Sequence, residues 1–391
     1  MKILFLSTRR AKPSFRFRVE QILPFFAQRG HSCDVVFLPG SAWARLLHYR
    51  PLRNYDAVFL QKRLLSRAEL SLIRRCVRRL IYDVDDAVMY NAQGETDSRR
   101  QTRFQAVARS ADLVICGNQY LADIASHHSD RVVLVPTSID TETFHPRLRP
   151  QQSAPNNFES SGLPRERMPG QALGGRGSCR SVLAGQHSST ARQEPRPPFA
   201  KSVVDLPQRN ALVTVGWTGS SSTNRFLNDV FPVLSKLAGR IHVKFISDST
   251  RDLDLDALAG VPYTFVPWST EIEVSETATF DIGLMPLPDN PWTRGKCGFK
   301  ALQYLALGIP AVCSPVGVNR EIIRHGHHGF LADSPESWSE ILTALVEDPQ
   351  QRERIGQAGR RRVEEAYALN TQGPRIVEAV ERLLSAGRRS A

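Results

Sequence analysis

The sequence predicts an α/β protein in which two doubly wound, Rossmann-like parallel-sheet domains face each other across a cleft. Short apolar runs alternate with helical segments along most of the chain. This alternation is typical of a parallel sheet that helices cover on both faces. It occurs twice, because a long stretch rich in Ser, Gly, Pro, Arg and Gln interrupts it. We therefore expect two sheets rather than one.

The order of the predicted elements divides the chain into three segments. In residues 1–150, helical segments separate the strand-like runs KILFLS, CDVVFL, YDAVFLQ, LIYDV, ADLVICG and RVVLVP. Residues 151–208 have no sustained apolar period and are predicted to be a disordered linker or insertion. In residues 209–391 the strand-like runs are ALVTVGW, IHVKFIS, YTFVPW, DIGLMPL, IPAVCSP and HGFLAD. The carboxyl ends of both sets of strands should line the cleft, where doubly wound folds bind ligands.

The charge and the cysteine content restrict the class of protein. Among the 391 residues, 51 Lys and Arg stand against 39 Asp and Glu, and the net charge is +12. This favours an anionic partner without choosing among nucleotide phosphates, nucleic acid and an acidic membrane face. The six cysteines form no C-x-x-C pair, which argues against a zinc site or a disulfide framework. No apolar run forms a signal-peptide core or reaches the ~20 residues of a membrane span, so we expect a cytoplasmic protein.

A glycine-rich loop follows the strand-like run ALVTVGW. Its candidate phosphate-binding residues are Gly216, Thr218, Gly219 and Ser220. Ser222 or Thr223 is predicted to be the N-cap of the helix that follows. Glycines let the backbone approach an anion, and the free N–H groups and the dipole of a helix start attract it. Gly/Ser turns before helices also occur for purely structural reasons, so both interpretations stay open.

Two lysines flank the start of a second helix, FKALQYLALG. The apolar residues that should form its core face are Phe299, Leu302, Leu305 and Ala306. Lys300 and Gln303 lie on the remaining faces, and Lys296 lies in the loop before the helix. A lysine beside a helix start opposes the helix dipole unless an anion lies nearby. Lys296 and Lys300 are therefore candidates for binding a diphosphate, and the alternative is two solvated lysines in a basic protein.

The second half resembles the donor-binding half of glycosyltransferase family 4, among the glycosyl transferases group 1, which has the GT-B fold. The runs that carry the resemblance are GWTGS, FDIGLMPLPDNPWTRGKCGFKALQYLALGIPAVCSPVGVNREII and GFLA. In the first half, ADLVICGNQYLADIA and LVPTSIDTETFHP are similar to the end of that family's N-terminal domain. The resemblance covers nearly all of the chain except residues 151–208.

The resemblance implies a retaining transferase that moves a sugar from a UDP- or GDP-linked donor to a glycan or lipid-linked acceptor. It implies no metal and no cofactor. The donor is expected to bind the two loops described above and, through backbone amides, Gly317, Val318 and Asn319. Peripheral contact with the inner face of an anionic membrane is a further expectation. No nucleic-acid partner is expected, because no known nucleic-acid motif is present.

The sequence departs from the family at two positions. The family usually carries two glutamates separated by seven residues, and Gly295 and Gln303 stand in their places here. In the family the second glutamate accepts hydrogen bonds from the donor ribose; Gln303 can still accept one, at a loss of about 1 kcal/mol. The first glutamate lies near the transferred sugar, a region that Lys296 would occupy here. Altered sugar specificity and lost catalysis both stay open.

The first half is expected to bind the acceptor. Arg16 and Arg18 match best the arginines with which the family contacts acceptor and donor phosphates, and a solvated basic loop is the alternative. Asp85 and Asp86 fall where relatives have a His-Asp pair near the reacting sugar, so they are candidates to position or deprotonate the acceptor hydroxyl. Capping of the next helix is the structural alternative. With Asp83 they form a D-x-D pattern, but its place in the acceptor half argues against a metal site.

The residue types present favour transfer at one face of the donor. The sequence shows no Ser-His-Asp or Cys-His constellation and no carboxylate placed as a sugar nucleophile. The departing diphosphate, neutralised by Lys296, Lys300 and the helix start after Thr218, would help to deprotonate the incoming hydroxyl. Two alternatives stay open: a catalytically silent basic binding protein on the same fold, and a nucleotide-sugar epimerase or phosphorylase.

Overall fold

Two six-stranded sheets, whose paired strands all run parallel, form the centre of the protein in the computed structural model. The structure describes residues 1–7, 13–41, 44–45, 49–150 and 212–386. These residues belong to one compact unit. The predicted linker or insertion at 151–208 lies outside the described residues. The two sheets confirm the predicted α/β fold class.

The first sheet is built from the first half of the chain. Its strands are β1 (Lys2–Ser7), β2 (Ser32–Phe37), β3 (Ala57–Gln61), β4 (Leu80–Val84), β5 (Leu113–Cys116) and β6 (Val132–Leu134). Its helices are α1 (Pro13–Arg18), α2 (Leu23–Gln28), α3 (Arg67–Cys76), α4 (Ser98–Ser110) and α5 (Gln119–Ser126), with 3-10 turns at Glu20–Ile22, Arg50–Asn54 and Pro146–Leu148. The strand order is β2-β1-β3-β4-β5-β6. The order reverses between β1 and β3, and ligands prefer such a position.

The second sheet is built from the second half. Its strands are β7 (Val213–Thr218), β8 (Ile241–Ser247), β9 (Tyr263–Pro267), β10 (Ile282–Met285), β11 (Ala311–Cys313) and β12 (Phe330–Leu331). The helices are α6 (Ser221–Asn224), α7 (Phe231–Ser235), α8 (Glu273–Thr277), α9 (Pro291–Arg294), α10 (Phe299–Ala306), α11 (Asn319–Ile322), α12 (Pro335–Glu347), α13 (Pro349–Ala366) and α14 (Leu369–Ala386), with 3-10 turns at Arg225–Leu227 and Leu255–Leu258. The strand order β12-β11-β10-β7-β8-β9 reverses between β7 and β10.

The central strands are buried on both faces. Every residue of β3 and of β4 is buried, which explains why their sequences are mainly apolar and do not alternate with exposed polar residues. The helix that follows β3 begins with a capping box, because Ser66 and Glu69 each accept a hydrogen bond from the other's backbone N–H. The cap at the start of this helix and the burial of the strands therefore both favour a parallel sheet covered by helices.

The last helix returns to the first sheet. Ile376, Val377 and Val380 of α14 pack in one buried core with Ile3 and Phe5 of β1. These helix positions share one face, so α14 buries an apolar stripe against the first sheet. The segment predicted as the second domain, residues 209–391, therefore contributes its last helix to the core of the first half.

Side chains of the two halves also pack directly against each other. The ring centroids of Phe17 in α1 and Phe299 in α10 are 4.0 Å apart. Arg360 of α13 donates hydrogen bonds to the carbonyl oxygens of Phe144 (2.6 Å) and Ala306 (2.5 Å). A buried arginine that satisfies carbonyls on both halves fixes their separation, since each of those carbonyls would otherwise lack a partner.

The helices of the described residues do not have the character of membrane spans. A span needs about 20 predominantly apolar residues. Helices α13 and α14 have 18 residues each, and both carry several charged side chains. None of the helices in the described part of the chain combines the required length with the required hydropathy.

Candidate functional site

A cleft of about 580 Å³ lies between the two halves, at the carboxyl ends of both sheets. Lys62 follows β3 and the segment Thr218–Ser222 follows β7, so both positions at which the strand order reverses face this cleft. The residues that bear most on its chemistry are Lys62, Asp85, Asp86, Glu273, Lys296 and Lys300. The cleft therefore occupies the place at which doubly wound sheets bind ligands.

Lys300, in the first turn of α10, lies deep in the cleft. Its Nζ is 5.3 Å from the centroid of the Trp217 ring. Gly219 makes room for this packing, because a Cβ at Gly219 would lie 2.6 Å from Cε of Lys300. Burial and the neighbouring charge of Lys296 lower the pKa of Lys300 to about 7. Among the described residues, no carboxylate lies within ion-pair distance of Lys300, so a bound anion would find an uncompensated cation here.

Lys296, in the loop before α10, contacts groups of both halves of the protein. Its Nζ lies 3.7 Å from the centroid of the Trp292 ring and 3.9 Å from Oδ1 of Asp86. Its carbonyl oxygen accepts a hydrogen bond of 3.0 Å from Nδ2 of Asn118. Burial lowers the pKa of Lys296, and the carboxylate of Asp86 opposes this shift. Lys296 is thus within reach of groups on both sides of the cleft.

Asp85 and Asp86 follow β4 and face the cleft beside a lysine that sequence reasoning missed. Nζ of Lys62 lies 3.2 Å from Oδ1 of Asp85 and 3.3 Å from Oδ2 of Asp86. Burial would raise the pKa of Asp86, but the charges of Lys296 and Lys62 outweigh burial and hold that pKa below its ordinary value. The two predicted carboxylates are therefore placed side by side and compensated by cations.

The structure corrects the role predicted for Arg18. This side chain is 1% exposed and does not face the cleft. Its guanidinium forms an ion pair with the equally buried Asp83 and donates a 2.9 Å hydrogen bond to the carbonyl oxygen of Val135. Because these partners already use its donors, Arg18 braces the core instead of contacting an acceptor. Asp83 likewise points to Arg18 and away from the neighbouring carboxylates, and no cluster of three or more potential metal ligands occurs in the described ranges.

Arg16 crosses the cleft to a carboxylate that the sequence did not single out. Its Nη1 lies 2.9 Å from Oε2 of Glu273, which begins α8 and is 3% exposed. Oε1 of Glu273 accepts a 2.7 Å hydrogen bond from Nε2 of Gln303. A carboxylate thus lies next to the glutamine that replaces the family's second glutamate. The negative charge at this wall of the cleft therefore comes from Glu273 of α8, whereas in the family it comes from the helix position of Gln303.

The loop after β7 is less open to an anion than predicted. The N-cap of α6 is Ser220, not Ser222 or Thr223, and α6 has four residues. The backbone N–H of Ser221 donates to Oδ1 of Asp248 at 2.6 Å, and that of Gly219 donates to a neighbouring strand. Thr218, Gly219 and Ser220 do line the cleft, but protein acceptors already hold part of the expected phosphate cradle.

Four residues predicted to bind the donor lie away from the cleft lining. Gly216 is inside β7, where an added Cβ would come within 2.1 Å of the Phe280 ring, so this glycine permits close packing. Gly317, Val318 and Asn319 lie behind Gly298, whose added Cβ would contact Val318 and Asn319. Gly317 has φ of +52°, which favours glycine for conformational reasons. These residues shape the loop at Gly298 instead of facing the ligand space.

Gly295 shows why the family's first glutamate is missing. A Cβ at this position would lie 2.3 Å from Cβ of Ala87 in the other half. Nearby, Sγ of Cys297 donates to the carbonyl oxygen of Asp85 at 3.1 Å. The loop that carries Lys296 is therefore pressed against the first half, and a glutamate at residue 295 has no room. Glycine at residue 295, in place of the family's glutamate, therefore allows this loop to contact the first half directly.

The residues that sequence reasoning missed share one signal. Lys62 follows β3, Asp248 follows β8, and Trp268 and Glu273 follow β9. All four line the cleft. Polar or aromatic residues placed directly after the strands of a parallel sheet gather at one edge, so their position alone could have identified them as candidates.

Comparisons with known proteins agree with this arrangement. Residues 291–362, which include Lys296, Lys300 and Gln303, match the family model of glycosyl transferases group 1. No curated protein matches the chain by sequence. The structure is similar to sucrose-phosphate synthase from Thermosynechococcus elongatus, with a TM-score of 0.72 and 13% identity over 99% of this chain and 100% of that one.

Two other solved structures have the same architecture. Anabaena HepE, in complex with UDP and glucose, matches with a TM-score of 0.64 and 15% identity over 98% of this chain and 100% of its own. A glycosyltransferase from Rickettsia africae matches with a TM-score of 0.66 and 10% identity over 98% of both chains. At such identities these likenesses show the fold alone. Residues 291–362 match the glycosyl transferases group 1, and the chain has the GT-B fold of these solved structures.

Proposed function

We propose that the protein is a retaining, metal-independent glycosyltransferase of family 4 that uses a UDP- or GDP-linked sugar donor. The observation that carries this proposal is Lys300, a half-buried lysine beside a second cation, Lys296, at the start of α10. Two cations and a helix start converge on a space without a protein carboxylate beside Lys300, which suits a diphosphate. The UDP found in the HepE complex supports a nucleoside diphosphate as the ligand.

Glu273 and Gln303 are proposed to bind the ribose of the donor. Each carboxylate oxygen has two acceptor sites, so Glu273 can hold Arg16 and Gln303 and still accept a hydroxyl. A hydrogen bond to a charged acceptor contributes about 1.5–3 kcal/mol. Glu273 would therefore supply the charged acceptor that the neutral amide of Gln303 cannot provide.

The acceptor hydroxyl is proposed to meet Asp86. Nζ of Lys296 is 3.9 Å from Oδ1 of Asp86, so the cation that would neutralise the departing diphosphate lies beside the proposed base. In transfer at one face of the sugar, the leaving oxygen and the incoming hydroxyl lie next to each other. The proximity of Lys296 and Asp86 is what such a reaction requires. Lys296 and Lys300 would stabilise the charge that develops on the leaving group.

A glycan or lipid-linked acceptor, held at an anionic membrane surface, is proposed for the first half. Helices α3 and α4 pack side by side in this half. Exposed arginines lie on both helices and just after α3. They are Arg67, Arg75, Arg78, Arg99, Arg100 and Arg109. Clustered cations at a surface attract anionic lipid headgroups by about 1 kcal/mol each near the membrane. This face could therefore bring the cleft to a membrane-bound acceptor.

Turnover of defined donors tests the proposed reaction. The protein, with excess EDTA present, is incubated with UDP-linked and GDP-linked α-hexoses, and ³¹P NMR follows the release of nucleoside diphosphate. We expect release from one class of donor at an undiminished rate in EDTA, with transfer of the sugar to water and ¹H NMR showing the α anomer as the first sugar formed, before it mutarotates. A β anomer as the first product would contradict retention, and loss of turnover in EDTA that returns with Mg²⁺ would contradict metal independence.

The pKa of Lys300 predicts a proton uptake on binding. In the free protein this pKa is about 7, so at pH 8 the side chain is mainly neutral. A bound diphosphate favours the ammonium form and raises the pKa, so binding at pH 8 takes up a proton and affinity falls as the pH rises further. Calorimetric titration of UDP in two buffers with different ionisation enthalpies should give close to one proton per UDP. Equal heats in both buffers would show that Lys300 does not titrate on binding.

A further inference from the structure

Lys62 adopts a backbone conformation that is costly for a lysine. Its φ is +58°, in the left-handed region, and Asp252 is the other non-glycine residue with positive φ among the described residues. The backbone N–H of Lys62 donates a 2.8 Å hydrogen bond to the carbonyl oxygen of Asp83, which anchors this conformation to the end of β4. Such strain persists where surrounding structure enforces it, and it concentrates at functional sites.

The strained backbone places the ammonium group between two carboxylates. Nζ of Lys62 lies 3.2 Å from Asp85 and 3.3 Å from Asp86, and all three side chains line the cleft. Burial alone would lower the pKa of Lys62, but the two carboxylates outweigh burial and raise it, so the lysine stays charged. Glycine would fit this backbone without strain, and its absence indicates that the side chain is what the position requires.

Two adjacent carboxylates need a cation if both are to stay ionised. Like charges in contact raise one another's pKa, as paired acidic groups do elsewhere. Oδ2 of Asp86 lies 3.3 Å from Nζ of Lys62, and Oδ1 of Asp86, a buried atom, lies 3.9 Å from Nζ of Lys296. The other titratable or charged groups that act on this trio are Arg18, Tyr82, Asp83, Lys296, Cys297 and Lys300.

We propose that Lys62 is a positioning residue that holds the carboxylate of Asp86 ionised and in place at the cleft, where this carboxylate accepts the proton of the acceptor hydroxyl. This inference rests on the proposed function, because it assigns Asp86 as the base of the transfer reaction. The proton moves from the hydroxyl to the carboxylate of Asp86, the hydroxyl oxygen forms the new bond to the anomeric carbon, and the nucleoside diphosphate leaves with the bonding electron pair. Lys62 itself contacts neither the sugar nor the diphosphate in this assignment.

Comparing a variant of Lys62 that removes the positive charge with one that keeps it distinguishes a positioning residue from a residue whose ion pairs are only structural. Lys62→Met removes the charge at nearly equal length, and Lys62→Arg keeps it. Lys62→Gly removes the charge and the backbone strain together, so at least one uncharged variant should fold. Lys244→Met is the matched control, because Lys244 forms an ion pair with Glu276 away from the cleft.

Three readouts are measured on each variant. The carboxyl pKa values of Asp85 and Asp86 are followed by NMR with ¹³C-labelled aspartate, with Asp86→Asn for assignment. Hydrolysis of UDP-glucose gives the pH profile of kcat/KM, and calorimetry gives UDP affinity. We expect Lys62→Met and Lys62→Gly to raise the pKa of Asp86, because Lys62 helps to hold that pKa down, and to move the acid limb of the profile upward by about one pH unit or more. Lys62→Arg and Lys244→Met should leave both unchanged, and UDP affinity should stay within about twofold in every variant.

Each result decides the inference. Unchanged aspartate pKa values and an unchanged acid limb in the uncharged variants would overturn it, since the ion pair would then be structural only. Loss of UDP affinity in Lys62→Met would also overturn it, because Lys62 would then be a donor ligand. If the wild type neither binds UDP nor hydrolyses UDP-glucose, the proposed function fails, while the NMR titration still decides whether Lys62 sets the ionisation of the pair.

Discussion

Replacing Lys300 by methionine is expected to weaken UDP or GDP binding roughly 10- to 100-fold, because a charged hydrogen bond contributes about 1.5–3 kcal/mol. Lys300 has the size and position to bind a phosphate, and the structure gives it an indole ring and a second lysine as neighbours. Methionine keeps the packing against Trp217 and removes only the charge. Calorimetric titration of the nucleotide into both proteins measures the difference.

The stability of the Lys300→Met protein separates lost binding from misfolding. The lowered pKa of Lys300 shows that the fold disfavours its charged form at neutral pH, so removing the charge should not reduce the free energy of unfolding. Lys236→Met, at an exposed lysine after α7, is the matched control and should bind nucleotide as the wild type does. Wild-type affinity in Lys300→Met, or an equal loss in Lys236→Met, would contradict the assignment of Lys300.

Replacing Asp86 by asparagine is expected to reduce donor turnover by about 10²- to 10⁴-fold, the usual contribution of a general base. Asparagine keeps the shape of the side chain but cannot take the proton of the acceptor hydroxyl or of water. Because Asp86 lies on the first half of the cleft, UDP affinity should change little. Hydrolysis of UDP-glucose and calorimetry, measured on the same protein sample, give the two quantities.

The control for Asp86 is a carboxylate outside the cleft. Asp56→Asn removes the partner of Arg78 in an ion pair on the same half of the protein and should leave turnover unchanged. Turnover of Asp86→Asn within a few-fold of the wild type would show that Asp86 is not the base. In that case Asp85 would have to be tested alone, and the role assigned to Lys62 would fall as well.

The fold could be predicted because its signal is local. The runs AVFLQ and LIYDV are mainly apolar, and β3 and β4 are buried throughout, so the sequence of each strand indicates its buried environment. The return of α14 to the first sheet could not be predicted. Its apolar stripe is equally suited to either sheet, and only the assembled structure shows that it packs with Ile3 and Phe5.

The site could be predicted only in part, because several of its residues depend on distant partners. Lys296 and Lys300 were found from their place at a helix start, which is a local feature. Arg18 looked like an acceptor ligand because its partner, Asp83, is far away in sequence. Glu273 was overlooked for the same reason, since its neighbours Arg16 and Gln303 come from other elements. Gly216 was misjudged because a glycine can serve packing or ligand approach, and only the Phe280 ring decides between them.

The central claim, that the cleft binds the diphosphate of a nucleotide-sugar donor at Lys300, is tested most directly by one calorimetric series. UDP, GDP, ADP and CMP are titrated into the wild type and into Lys300→Met. We expect saturable binding of UDP or GDP at one site per chain, much weaker binding of CMP, which has a single phosphate, and a marked loss in Lys300→Met. Absence of binding by every diphosphate, or binding of CMP as tight as that of the diphosphates, would contradict the claim.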